Sequence, residues 1–107
     1  LPEVAEAVDG RVPVVVDGGF MRGADVLKGL CLGADVISMG RLEGLAMAAA
    51  GTEGVVKALK LIETELRLSM ALLGMSDIKD LHPGLMERST ALGNPNVLSA
   101  FPLLDTL

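Results

Sequence analysis

At 107 residues the chain has room for one ordinary domain. Half of it is apolar but only 2% aromatic, without Trp or Tyr, so a core must come from Val, Leu, Ala and Met, which suits helices layered on a buried parallel sheet. The net charge of −5, with 9 basic residues spread along the chain, argues against a nucleic-acid partner; the apolar runs are too short to span a membrane, and the lone Cys31 excludes an intrachain disulfide or a multi-cysteine zinc site.

Residues Pro2 to Val8 read as the last turns of a helix, stopped by Asp9-Gly10. The sequence starts at Leu1-Pro2, as though inside a helix, and carries no signal peptide. We therefore expect it to be part of a longer chain. Val12 to Val16 is a short β-branched run with Pro13 near its start, which predicts a strand buried on both faces. Asp17-Gly18-Gly19 closes it. Gly23 to Leu32 predicts a helix with Val26, Leu27, Leu30 and Cys31 on one face, stopped by Gly33.

A second apolar run, Asp35 to Met39, closes on Gly40-Arg41. Leu42 to Ala50 predicts a short helix ending at Gly51, and Glu53 to Leu73 a long one, with Glu63 and Arg67 paired on its wet face. Ser76 to Leu81 reads as one more short helix capped by Ser76. From Gly84 the pattern dissolves, and residues 88–107 are expected to form a tail outside it. Strands alternating with helices imply parallel βα units. A (β/α)8 barrel takes roughly 250 residues, so this chain corresponds to about the last third of one.

Both strands end in a glycine-containing turn, and the second turn leads directly into a short helix. Barrels frequently bind phosphate with the loops after strands 7 and 8 and the N-terminus of a short extra helix. Glycines let an anion approach main-chain N–H groups with no Cβ in the way, and Arg41 can close such a site with a charge-assisted contact. The plainer reading, glycines that only permit tight turns and a solvated Arg41, stands beside it on the pattern alone.

The run VVVDGGFMRGADVLKGLCLGADVISMGR at 14–41, with ELRLSMALLG at 65–74 and Ile78 to Leu81, closely resembles the FMN-dependent α-hydroxy-acid oxidase and dehydrogenase family, which includes glycolate oxidase, lactate oxidase and mandelate dehydrogenase. The resemblance covers roughly residues 1–85. It implies an α/β fold, the C-terminal part of a (β/α)8 TIM barrel with its seventh and eighth strands, so that residues 1–107 form the C-terminal portion of one FMN-binding domain. It implies FMN as cofactor, with the phosphate held at Asp17, Gly18, Gly19, Gly40 and Arg41. The family pattern has two consecutive Arg after the glycine turn, the first on the phosphate. Here Met21 stands at that position and only Arg22 remains, so Arg22 or another residue is expected to substitute. Glu43, where the family often has an aromatic nearby, is expected to point away from the phosphate.

The resemblance further implies an oxidoreductase that converts a small 2-hydroxy acid to a 2-oxo acid, working with the remainder of the barrel and assembled as a homo-oligomer, a tetramer. The family's proton-abstracting His and carboxylate-gripping Arg correspond to residues upstream of this segment, so no catalytic residue is assigned here and the chain alone is expected to be inactive. His82 reads as a surface or helix-end histidine, Cys31 as a buried structural thiol, and Asp25 with Lys28 as a solvated i,i+3 pair. Asp17 is assigned to the geometry of the cofactor loop. A cytoplasmic location is expected. Two other readings share these loops: a type 2 isopentenyl diphosphate isomerase, and a structural fragment without catalysis.

Overall fold

The computed structural model describes residues 1–88. Helix α1 (Pro2–Val8) starts on proline, whose fixed φ and missing N–H suit a first helical position. It ends at Asp9, which takes the left-handed conformation with φ 48°.

Strands β1 (Val15–Asp17) and β2 (Val36–Ser38) pair in parallel, with Val15 opposite Val36, Val16 opposite Ile37 and Asp17 opposite Ser38. Both are shorter than the apolar runs that predict them. Pro13 has no N–H to give a ladder. At Val14 the Asp35 side chain intervenes: the Val14 N–H donates to Asp35 Oδ2 at 2.7 Å, while the Val14 carbonyl accepts from Asp35 N–H at 2.9 Å. Regular pairing therefore begins one residue later on each strand.

Helix α2 (Gly23–Cys31) joins the strands and covers one face of the pair. Val26, Leu27 and Cys31 are buried, as the spacing predicts. Within the described residues the strand pair is covered on one face only. Val16 and Ile37 are half-buried, whereas Val15 on the other face is 62% exposed and Val36 49%. Among the described residues no layer covers that second face.

Helix α3 (Gly40–Leu72) is two helices in one. Ala50 and Gly51 leave helical geometry, Gly51 with φ 56°, so the break falls where the sequence put it. The second part carries Glu63, whose carboxylate accepts from Arg67 at 2.9–3.0 Å. Leu27 and Cys31 of α2 meet Met70 of α3, and Leu66, Met75, Leu81, Leu85 and Met86 pack around them. Burial pushes the Cys31 thiol up from its ordinary pKa, in keeping with a structural role.

After α3 come two single turns of 3-10 helix, Ile78–Asp80 and Pro83–Leu85. The cap of the first is Asp77, not Ser76: its carboxylate accepts from Lys79 N–H at 2.9 Å. The chain also keeps its order past Gly84, because Leu85 and Met86 find places on the core. Of the expected tail, residues 89–107 lie outside the described residues. No helix among the described residues is long and apolar enough to cross a membrane.

Candidate anion-binding site at the strand ends

Parallel strands point their C-terminal ends the same way, and open α/β sheets bind ligands outside those ends. Asp17 and Ser38 are the last paired residues, so the two turns that follow emerge side by side. Between them lies a cavity of about 590 Å³. It brings together Asp17, Gly18, Gly19 and Met21 from the first turn with Gly40 and Arg41 from the second.

Each wall has a local cause. Gly18 and Gly19 have φ of 110° and 81°, a conformation that side chains resist, and it turns the main chain back over the strand end. On the other wall α3 begins at Gly40 after Met39 in extended conformation, with no side-chain cap hydrogen bond. The early N–H groups of a helix have no intrahelical acceptor, and they sit at the positive end of its dipole. A Cβ built on Gly18, Gly40 or Gly44 would meet nothing within 4 Å beyond its chain neighbours and the adjoining backbone of its own helix. The glycine lining thus leaves open space beside the main chain, which is what a phosphate needs.

Glu43, in the first turn of α3, does not line this cavity. It faces a neighbouring one of about 350 Å³ with Leu42, Val55 and Leu59, so its charge is turned away as expected. His82 is exposed, stands at the N-cap position of the second 3-10 turn without a side-chain cap hydrogen bond, and does not line the cavity. No group of His, Cys, Asp or Glu among the described residues could hold a metal ion.

Arg22 is placed differently from the other candidates. Its guanidinium lies on Glu65 of α3, with Nε 2.9 and 3.0 Å from the two carboxylate oxygens and Nη2 2.7 Å from one. It does not line the cavity. The same carboxylate accepts the Gly23 N–H at 2.8 Å. Those hydrogen bonds, Arg22 first and then Gly23, hold the Glu65 carboxyl below the usual carboxylate range, and Glu65 raises the Arg22 pKa in turn. Asp25 also does more than pair with Lys28 at 3.9 Å: its Oδ2 accepts the N–H groups of Met21 at 3.2 Å and Arg22 at 3.0 Å. Glu65 escaped the sequence reading because nothing in helical spacing links it to a residue 43 positions away. Asp25 carried a signal, an acidic residue at the third position of a predicted helix.

Residues 1–88 match the family described as FMN-dependent dehydrogenase. The chain belongs to the FMN-dependent dehydrogenase family. It is 42% identical over 86 residues to the 2-hydroxyacid oxidase of Dictyostelium discoideum, a match that takes in 80% of this chain and 22% of that protein. Among solved structures it is similar to the recombinant flavin-binding domain of baker's yeast flavocytochrome b2, with TM-score 0.76 and 37% identity over 91% of this chain and 27% of that one. It is also similar to a mandelate oxidase mutant carrying a monooxide FMN adduct, with TM-score 0.72 and 43% identity over 74% of this chain and 25% of that one. The chain thus has the fold of part of a (β/α)8 barrel and spans about a quarter of the length of these relatives.

Proposed function

We propose that this chain is the FMN-phosphate-binding segment of an oxidoreductase that oxidises a small 2-hydroxy acid to a 2-oxo acid. The observation that carries the proposal is the glycine-lined cavity at the ends of two parallel strands, closed by Arg41 and the start of α3. In this reading β1 and β2 are the seventh and eighth strands of the barrel. Main-chain N–H groups of Gly18, Gly19 and Gly40 and the Arg41 guanidinium hold the phosphate. Asp17 contributes main-chain geometry. Its carboxylate is an acceptor only, so it suits a hydroxyl of the ribityl chain and not the phosphate. Met21 lines the cavity without a charge, and Arg22 acts through the loop it anchors.

When bound, FMN supplies the two-electron acceptor for oxidation of the hydroxyl-bearing carbon. The residues of this segment hold and orient it. In this reading proton abstraction and the grip on the substrate carboxylate belong to the remainder of the barrel, as the family resemblance implies. For the complete enzyme we propose a homo-oligomer, a tetramer, as the same resemblance implies.

The test is the colour of the native polypeptide. With FMN bound it is expected to be yellow and to bleach when glycolate, lactate or mandelate is added under argon. Residues 1–107 alone are expected to give no turnover. Flavin-loaded native protein that no small 2-hydroxy acid bleaches, or turnover by the 107 residues alone, contradicts the proposal.

A further inference from the structure

Resting on the phosphate-cradle reading, we infer that Glu65 is a positioning residue: by latching Arg22 and the Gly23 N–H to α3, it fixes the first phosphate loop at the separation from Gly40-Arg41 that FMN requires. The loop that needs fixing is soft, with two successive glycines at positive φ. A cradle of N–H donors is effective only if those donors are held in place before the ligand arrives.

Three consecutive N–H groups at the exit of this loop are tied to carboxylates. Met21 and Arg22 donate to Asp25, and Gly23 donates to Glu65. Asp25 belongs to α2 and can only close the turn on itself. Glu65 reaches across from the second part of α3, beyond the break at Ala50 and Gly51, while the first residues of the first part form the opposite wall. The stretch of chain that carries one wall thus leads, across that break, into the helix that grips the other. Gly23 makes the grip close: a Cβ there would lie 2.6 Å from the Ile62 carbonyl oxygen, so the start of α2 rests on the main chain of α3. The planar guanidinium fork of Arg22 adds direction to the contact, which a lysine ammonium would not. Arg22, on this account, acts through Glu65 and does not touch the phosphate.

FMN and riboflavin differ only by the phosphate, so the ratio of their dissociation constants reads the cradle alone. Both constants are measured for the native polypeptide, Glu65→Gln and Arg22→Lys by quenching of flavin fluorescence, well below the melting temperature of each protein. We expect Glu65→Gln to weaken FMN about tenfold, comparable to the lower end of the affinity loss when a residue that orients a metal ligand is removed, and to leave riboflavin within about twofold. Arg22→Lys is expected to move the ratio in the same direction. A uniform loss of folding stability would not change the ratio. Tighter FMN binding by Glu65→Gln would overturn the latch, because it would mean that a released Arg22 reaches the phosphate. An unchanged ratio in both variants overturns it as well, while a native preference for FMN leaves the cradle standing. A native protein with no preference for FMN over riboflavin overturns cradle and latch together. Where Glu65→Gln does not fold, the ratio for Arg22→Lys decides by the same criterion.

Discussion

Exchanging the charges that face the cavity is expected to change FMN affinity in opposite directions: Met21→Arg tightens it and Arg41→Met weakens it, each by about 10- to 150-fold. The magnitude follows from hydrogen bonds to charged groups, which contribute about 1.5–3 kcal/mol each, with about 1.4 kcal/mol for every factor of ten. Met21 and Arg41 both line the cavity, one from each turn. Met21 stands where the family resemblance places an arginine, so restoring the guanidinium adds a second cation to a site that reads as holding one. Fluorescence titration of the apo form of the native polypeptide measures both effects, with riboflavin as the reference that neither substitution should move. High salt should shrink both, as it screens the interaction of exposed charges. Equal FMN affinity in the two variants would leave the cavity without its assigned role.

The second large effect falls on stability. Gly23→Ala is expected to destabilise the native polypeptide by about 1–3 kcal/mol or more, the range for forcing volume into a packed site. The added Cβ would collide with the main-chain nitrogen of Leu66, lie 2.5 Å from Glu65 Cβ and 2.6 Å from the Ile62 carbonyl oxygen. Helix main chain cannot swing aside as a long side chain can, so α2 must move off α3. Gly40→Ala is the contrasting control. Its Cβ would enter open space beside the cavity, at a first helical position where alanine is well tolerated. It should leave the denaturation midpoint near that of the parent and weaken FMN instead. Urea denaturation followed by circular dichroism separates the two. Equal midpoints for Gly23→Ala and Gly40→Ala would contradict the close approach of α2 and α3.

The parts that sequence revealed are those set by local chemistry. The alternation of apolar runs and helical periodicity gives the βα order, Asp9-Gly10 and Gly51 mark real breaks, and the two glycine turns do come together at one end of a parallel pair. What it did not reveal depends on partners distant in the chain. Strand β1 begins after Val14 because an aspartate 21 residues on occupies the Val14 N–H. Arg22 looks like a phosphate ligand by position, yet Glu65 claims its guanidinium. Asp77 replaces Ser76 as cap because its carboxylate reaches the Lys79 N–H, a choice between adjacent capping residues that propensity alone does not make. Val15 was read as buried from the apolar character of its run, and that depends on a covering layer the described residues do not include.

The central claim is that the phosphate of FMN sits between Asp17-Gly18-Gly19 and Gly40-Arg41. A crystal structure of the native polypeptide with FMN tests it most directly. The account predicts phosphate oxygens within hydrogen-bonding distance of the Gly18 or Gly19 N–H, the Gly40 N–H and the Arg41 guanidinium, with Arg22 still on Glu65. Flavin bound with its phosphate outside this cavity, or held by Arg22 in place of Arg41, would contradict it.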